Sequence, residues 1–228
     1  MKKYVNLFVF VFMIGACLSQ GRAQTKSAVS YKNPVVDIAM PDPTVIKAAD
    51  GYFYMYATES TRNVPIMKSK DLVEWTYCNT AFTNKTRPRF EPKAGIWAPD
   101  INYINGKYVL YYAMSVWGGE QTCGIGVATA NSPQGPFTDH GKMFRSNEIG
   151  VQNSIDPSLL QYEGRNYLVW GSFRGIYVIE LTADGLSIMP GAKKKRIAGT
   201  AFEAVYIHKH GDYYYMFASI GSCCQGVK

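Results

Sequence analysis

Histidine and cysteine are scarce in this chain, with three of one and five of the other in 228 residues. No C-x-x-C pair occurs, and His140, His208 and His210 have no partners at zinc-ligand spacing, which excludes zinc ribbons and fingers. The D-x-D-x-D-G pattern of a calcium loop is missing as well. Past the N-terminal segment no stretch has the period of a long amphipathic helix. Basic residues cluster only once, at Lys193-Lys194-Lys195-Arg196 after Pro190-Gly191, which reads as a solvated turn. With no nucleic-acid module around that run, nucleic acid is set aside as a partner.

A membrane span is excluded too. Lys2 and Lys3 precede the apolar run from Tyr4 to Ala16, which is too short and wrongly flanked to cross a bilayer. It reads as a secretory leader. Two exits follow it: cleavage after Ala23, within Gly21-Arg22-Ala23-Gln24, and a lipobox-like Ile14-Gly15-Ala16-Cys17 that would lipidate Cys17. Plain cleavage is the reading adopted, giving a signal peptide at residues 1–23 and one domain over 24–228. The expected place is secreted, periplasmic or cell-surface, with a lipid anchor at Cys17 as the alternative, and the expected state is a monomer. Loss of Lys2, Lys3 and Arg22 lowers the formal net charge from +7 to +4. Disulfides are permitted in that compartment, but sequence does not assign pairs among Cys78, Cys123, Cys223 and Cys224.

What the chain has in plenty is aromatic residues, 17 Tyr, 11 Phe and 4 Trp, interrupted often by Gly and Pro. That composition points to an all-β fold. Internal comparison shows a repeat of acid, short apolar strand, Gly-containing turn, aromatic strand and small residue. Asp42 leads through Gly51 to Tyr52–Thr58, and Asp100 through Gly106 to Tyr108–Ala113. Asp156 leads through Gly164 to Tyr167–Ser172, and Glu203 through Gly211 to Tyr213–Ser219. The four acids fall 58, 56 and 47 residues apart, leaving room for two more strands per repeat. Later strands are expected at 64–69, 75–78, 124–130 and 175–181. Four-stranded units of this period are the pattern of β-propeller blades.

In a propeller the first strand of each blade lines the central channel, so acids at equivalent ends would converge. An isolated Asp-Pro is ordinarily turn punctuation, but Glu203, followed by Ala204, is a poor turn residue. Carboxylates crowded in one cleft push their pKa values apart, so that one stays protonated while another is ionised. That is the equipment of glycoside hydrolysis: an acid to protonate the leaving oxygen and a base to activate water. The surrounding rings also suit the C–H faces of sugars.

These segments resemble glycoside hydrolase family 43, enzymes of arabinan and xylan built on a five-bladed β-propeller. Pro41-Asp42-Pro43-Thr44-Val45 matches the base segment, and Trp97-Ala98-Pro99-Asp100-Ile101 with Asn105-Gly106-Lys107-Tyr108 resembles the second-blade signature. Asn153-Ser154-Ile155-Asp156-Pro157 resembles the segment that modulates the acid. Phe202-Glu203-Ala204-Val205-Tyr206-Ile207 resembles the acid's own segment, with Ala204 where Gly or Ser is more usual. Gly221-Ser222-Cys223-Cys224-Gln225-Gly226 resembles the endo-arabinanase branch, in which a vicinal cysteine pair borders the cleft. The resemblance implies endo-hydrolysis of α-1,5-linked L-arabinan with inversion. Asp42 would be the base, Glu203 the acid, and Asp156 the residue that orients the acid and tunes its pKa. Trp97, Asn153, Ser154 and Cys223 would meet substrate, whereas Asp100 is expected to be structural.

No cofactor is implied for the chemistry and no metal ligand is assigned. A structural calcium, held through residues beyond Lys228, is compatible with the family. Against a five-bladed pattern the chain supplies about three and a half blades and reads as C-terminally truncated, a fragment expected to be weakly stable and inactive. The alternatives are an exo-acting arabinofuranosidase or β-xylosidase of the same family, and a non-catalytic carbohydrate-binding propeller. The complete set of three acids argues against the last.

Overall fold

Alternating apolar and polar residues, broken by turn residues, fold here into successive antiparallel meanders. The computed structural model describes residues 30–221. The leader, Cys17, Cys223 and Cys224 lie outside the described residues. The first sheet holds β1 (Thr44–Lys47), β2 (Phe53–Tyr56), β3 (Pro65–Ser69) and β4 (Trp75–Thr80), in that spatial order. The second holds β5 (Gly95–Ile104), β6 (Lys107–Ser115), β7 (Gly124–Ala130) and β8 (Thr138–Arg145), again in sequence order. A single helical turn, α1 (Ser146–Ile149), leads to the third sheet of β9 (Ser158–Tyr162), β10 (Arg165–Trp170), β11 (Ile176–Glu180) and β12 (Lys195–Ala198). A hairpin of β13 (Phe202–His210) and β14 (Tyr213–Ile220) forms the fourth.

Turn chemistry sets the register. Asn105 and Gly106, both at positive φ (48° and 82°), join Ile104 to its partner Lys107. Glu163 and Gly164 (49° and 73°) do the same between Tyr162 and Arg165. Two consecutive residues at positive φ match the right-handed twist of the flanking strands, which is why such short hairpins close tightly.

The all-β expectation holds, and the strands foreseen at 64–69, 75–78, 124–130 and 175–181 are β3, β4, β7 and β11. The basic run is corrected in part: Lys195 and Arg196 belong to β12, an exposed edge strand and not a turn. Lysine and arginine on an edge blunt its tendency to pair with another chain.

Packing follows the period-two rule of strands. On β6, Leu110, Tyr112 and Met114 face Tyr54, Tyr56, Ile66 and Phe82 of the first sheet's core. The alternate residues Val109 and Tyr111 face Leu168, Trp170 and Ile179 of the third sheet. On β10 the pattern repeats, with Leu168 and Trp170 turned to the second sheet and Val169 joined to Val205 beside the fourth. The middle sheets therefore bury both faces, each large side chain contributing about 1.5–3 kcal/mol. Gly126 serves this packing, since a Cβ there would lie 2.4 Å from the Tyr112 ring. Its absence lets the Tyr112 hydroxyl donate to Asp139 at 2.6 Å.

Candidate active site

The first strands of the four sheets stand side by side, β1 next to β5, β5 next to β9, and β9 next to β13. Each enters the sheet through the same irregularity. In the second sheet Asp100 pairs with Tyr111 and Trp97 with Ala113, three residues on one strand against two on the other. In the fourth sheet Tyr206 pairs with Phe217 and Glu203 with Ser219, the same count. In the first, Thr44 pairs with Tyr56, and the Thr58 amide donates to the Pro41 carbonyl. In the third, Ser158 pairs with Val169, and the Gly171 amide donates to the Ile155 carbonyl. The extra residue is left-handed in every case: Asp42 (φ 50°), Ala98 (39°), Asp156 (57°) and Ala204 (51°). Such bulges re-aim side chains at the end of a strand.

This fourfold device corrects the alignment of the acids. Asp42, Ala98, Asp156 and Ala204 are the equivalent residues. Asp100 sits two places further along its strand, level with Thr44, Ser158 and Tyr206. Glu203 sits one place earlier, level with Pro41, Trp97 and Ile155. The acids thus come from three different positions of the repeat, and sequence spacing alone blurred them.

A cavity of about 590 Å³ lies among these strand starts, walled by the four left-handed residues together with Asp100 and Tyr206. Asp156 keeps partial exposure to it while lying deep among protein atoms. Loss of water pushes its pKa up to about 7, with the charges of Glu203 and then Asp42 adding to the rise, against a hydrogen bond from the Ala204 amide. The three acids therefore share one electrostatic field. Asp42 is exposed, and the Thr58 hydroxyl donates to its Oδ2 at 2.6 Å. That same hydroxyl oxygen accepts from the Ala98 amide at 2.6 Å, tying the first sheet to the second. Glu203 accepts from the Ser172 hydroxyl at 3.1 Å.

The remaining expectations divide. Asn153 is half-buried, and its amide donates to the Ser172 carbonyl at 3.0 Å, bracing the residue that holds Glu203. Ser154 is corrected as a substrate contact: it is fully buried, its hydroxyl donating to the Val151 carbonyl at 2.8 Å and accepting from Trp170 Nε1 at 3.1 Å. Sealed from the cleft, Ser154 fixes the loop before Asp156. Trp97 packs against Trp117, ring centroids 5.4 Å apart, and Trp117 is 77% exposed. An indole that exposed offers a face for stacking. Cys223 lies outside the described residues.

Asp100 is buried, and desolvation raises its pKa to about 6. It accepts from Asn102 Nδ2 at 2.7 Å, from the Leu159 amide at 2.8 Å and, more weakly, from Thr44 Oγ1 at 3.5 Å. These partners belong to three sheets, which makes it a fastening between them, as the sequence reading expected. Thr58, Ser172 and Trp117 were not singled out by that reading. Thr58 and Ser172 stand where the repeat ends in a small residue, and that regularity was the available signal. Among the described residues no three His, Cys, Asp or Glu side chains gather in a way that could hold a metal ion. Among the described residues Cys78 and Cys123 form no disulfide. No described helix is long and apolar enough to cross a membrane.

Residues 31–228 match the model of glycosyl hydrolases family 43. The extracellular endo-α-(1→5)-L-arabinanase 1 of Bacillus subtilis is 36% identical over 200 residues, which cover 82% of this chain and 61% of that protein. The native Bacillus subtilis arabinanase structure superposes with a TM-score of 0.72 at 33% identity, covering 84% of this chain and 69% of that one. An exo-1,5-α-L-arabinanase from a bovine ruminal metagenomic library superposes with a TM-score of 0.71 at 31% identity, covering 86% and 70%. The chain thus spans about three fifths of the length of the curated relatives it matches.

Proposed function

The chain belongs to family 43 of the glycosyl hydrolases, and from that premise we propose that it hydrolyses α-1,5-linked L-arabinan by internal cleavage with inversion at the anomeric carbon. The observation that carries the reading is the shared field of Asp42, Asp156 and Glu203, expressed in the raised pKa of Asp156. Ionising Asp156 and Glu203 together is penalised, so their pair retains a proton near neutral pH. Glu203, the longer side chain, delivers that proton to the glycosidic oxygen as the bond to the sugar breaks. Asp42 faces the opening, with one oxygen held by Thr58 and the other left to draw a proton from the attacking water. Asp156 stands in the same field as Glu203 and positions it. The three carboxyls and a water complete the reaction without a cofactor.

Finer points belong with this reading. The fold is a five-bladed propeller, of which the four sheets described here are blades. Residues 1–23 are a cleaved leader and 24–228 part of the catalytic domain, which takes the protein out of the cytoplasm to meet a plant cell-wall polysaccharide as a monomer. The activities of these relatives support internal cleavage first and exo-action second.

Linear arabinan and product sizing over time test the proposal. A ladder of oligosaccharides at early times is the expected result, and arabinose alone from the start would sink internal cleavage. Glu203→Gln should lower kcat on arabinan by about 10³-fold, and by far less on an aryl arabinoside whose leaving group needs no proton. Equal losses on both substrates would remove Glu203 from the role of acid.

A further inference from the structure

A second hollow, of about 420 Å³, opens beside the cleft between the β2–β3 loop and the segment before β5. Two of its charged residues are already balanced within the protein. Arg87 is buried in an ion pair with Glu59, and Glu91 in one with Arg145. Arg62, Arg89 and Lys93 on its rim are exposed, and none forms an ion pair among the described residues. Two of these cations are held in place by one residue: Asn84 accepts from Arg62 Nε through its side-chain oxygen at 3.1 Å, and from Arg89 through its carbonyl at 3.0 Å. Both guanidinium groups are thereby fixed on the rim with N–H groups to spare.

We propose that this hollow binds the carboxylate of an acidic sugar, so that the protein engages a uronate-bearing polysaccharide next to the chain it cleaves. Three like charges gathered on one rim repel one another, and a neutral pentose polymer offers nothing to offset them. A carboxylate does, and the planar guanidinium fork matches its two oxygens. The position fits one continuous ligand. Ala94 lines the hollow and Ala98 lines the cleft, four residues further along the same stretch of chain. Between them the indole of Trp97 folds back over Gly95, where a Cβ would meet its Nε1. Thr58 and Glu59 are consecutive, one supporting Asp42 and the other Arg87, so the base and the hollow share a rigid wall. The choice of polymer, an acidic backbone carrying arabinan, rests on the reading of the cleft given above; the anion site does not.

The test measures binding by the full chain and needs no turnover. The probes are oligogalacturonides, the same oligomers with carboxyls reduced to alcohols, dextran sulfate, and linear arabinan. Oligogalacturonides should bind and their reduced forms should not. The variant Arg62→Gln/Arg89→Gln/Lys93→Gln, altered only at exposed positions, should weaken oligogalacturonide binding by about tenfold or more and leave arabinan binding unchanged. An unchanged affinity of this variant for oligogalacturonides would overturn the proposal. So would dextran sulfate binding as tightly and weakening in parallel, since that describes a general polyanion surface. Failure of both proteins to bind arabinan would count against the reading of the cleft alone, with the oligogalacturonide result still deciding the hollow.

Discussion

Asp156 is destabilising to the fold in the state in which it is ionised. Its folded pKa near 7 lies above the ordinary 3.8, so the folded chain binds more protons than the unfolded one between those values. Stability is full below about pH 4 and is lost as the pH rises toward 7. The loss is on the order of 3 kcal/mol once its partial exposure to the cavity is discounted. Asp156→Asn keeps the shape and the acceptor for the Ala204 amide but cannot ionise. Urea unfolding at pH 8 should show this variant more stable than the parent, with kcat on arabinan lower by about 10²-fold or more. A residue held for stability would show the opposite pairing. Sites that carry such a cost are where function is expected, because nothing in packing accounts for it.

At the scale of the element, the bulge at the start of each first strand decides where the acids point. Two of the four left-handed positions are held by alanine, at a conformational cost of about 1 kcal/mol each. Ala204, exposed and at φ 51°, stands where the family resemblance expects Gly or Ser, and its left-handed backbone accounts for the Gly. Ala204→Gly should relieve the strain while adding freedom to the unfolded chain, for a net gain of about 0.5 kcal/mol. Calorimetry should record a Tm higher by roughly 1–2 °C; a fall would mean that the methyl group packs usefully. The recurrence of an acid near each strand start was legible in the sequence, but the bulge and its register were not, because a one-residue insertion leaves no mark in composition.

For the whole molecule, the seams between sheets matter as much as the sheets. Asp100 gathers donors from its own sheet and from both neighbours, and Asp100→Ala would leave the Leu159 amide and the Asn102 amide without that acceptor. A loss of about 3 kcal/mol is expected, seen as a Tm lower by roughly 6–12 °C. Asp100 also ionises at a cost, its pKa raised to about 6, so it adds to the decline in stability above pH 4. Below pH 4 the opposite group acts. Asp71 is held low by the backbone amides of Glu74 and Val73, Glu148 by Lys142, and Asp184 by Thr182, and all three lose that support on protonation. Unfolding midpoints in urea across pH 3 to 9 should therefore peak at about pH 4. A plateau from about pH 4 to 7 would show that Asp156 and Asp100 do not carry the cost assigned to them.

The sequence by itself determined the all-β class, the repeat and its hairpins, and the three acids, because alternation, turn chemistry and residue type are local properties of the chain. Tyr108–Ala113 or Tyr167–Trp170 can hardly be anything but strands, and Asn105-Gly106 hardly anything but their turn. Only the tertiary structure decided which residues are equivalent and which side chains a ligand can reach. Ser154 has the chemistry of a sugar contact and is sealed behind Trp170; Trp117 has no local signature and stands open beside Trp97. Thr58 and Ser172 acquired their tasks from strands in the neighbouring sheets, 40 and 31 residues away. Burial, shared electric field and the aim of a side chain past a bulge are properties of neighbours in space, and a linear pattern does not encode them.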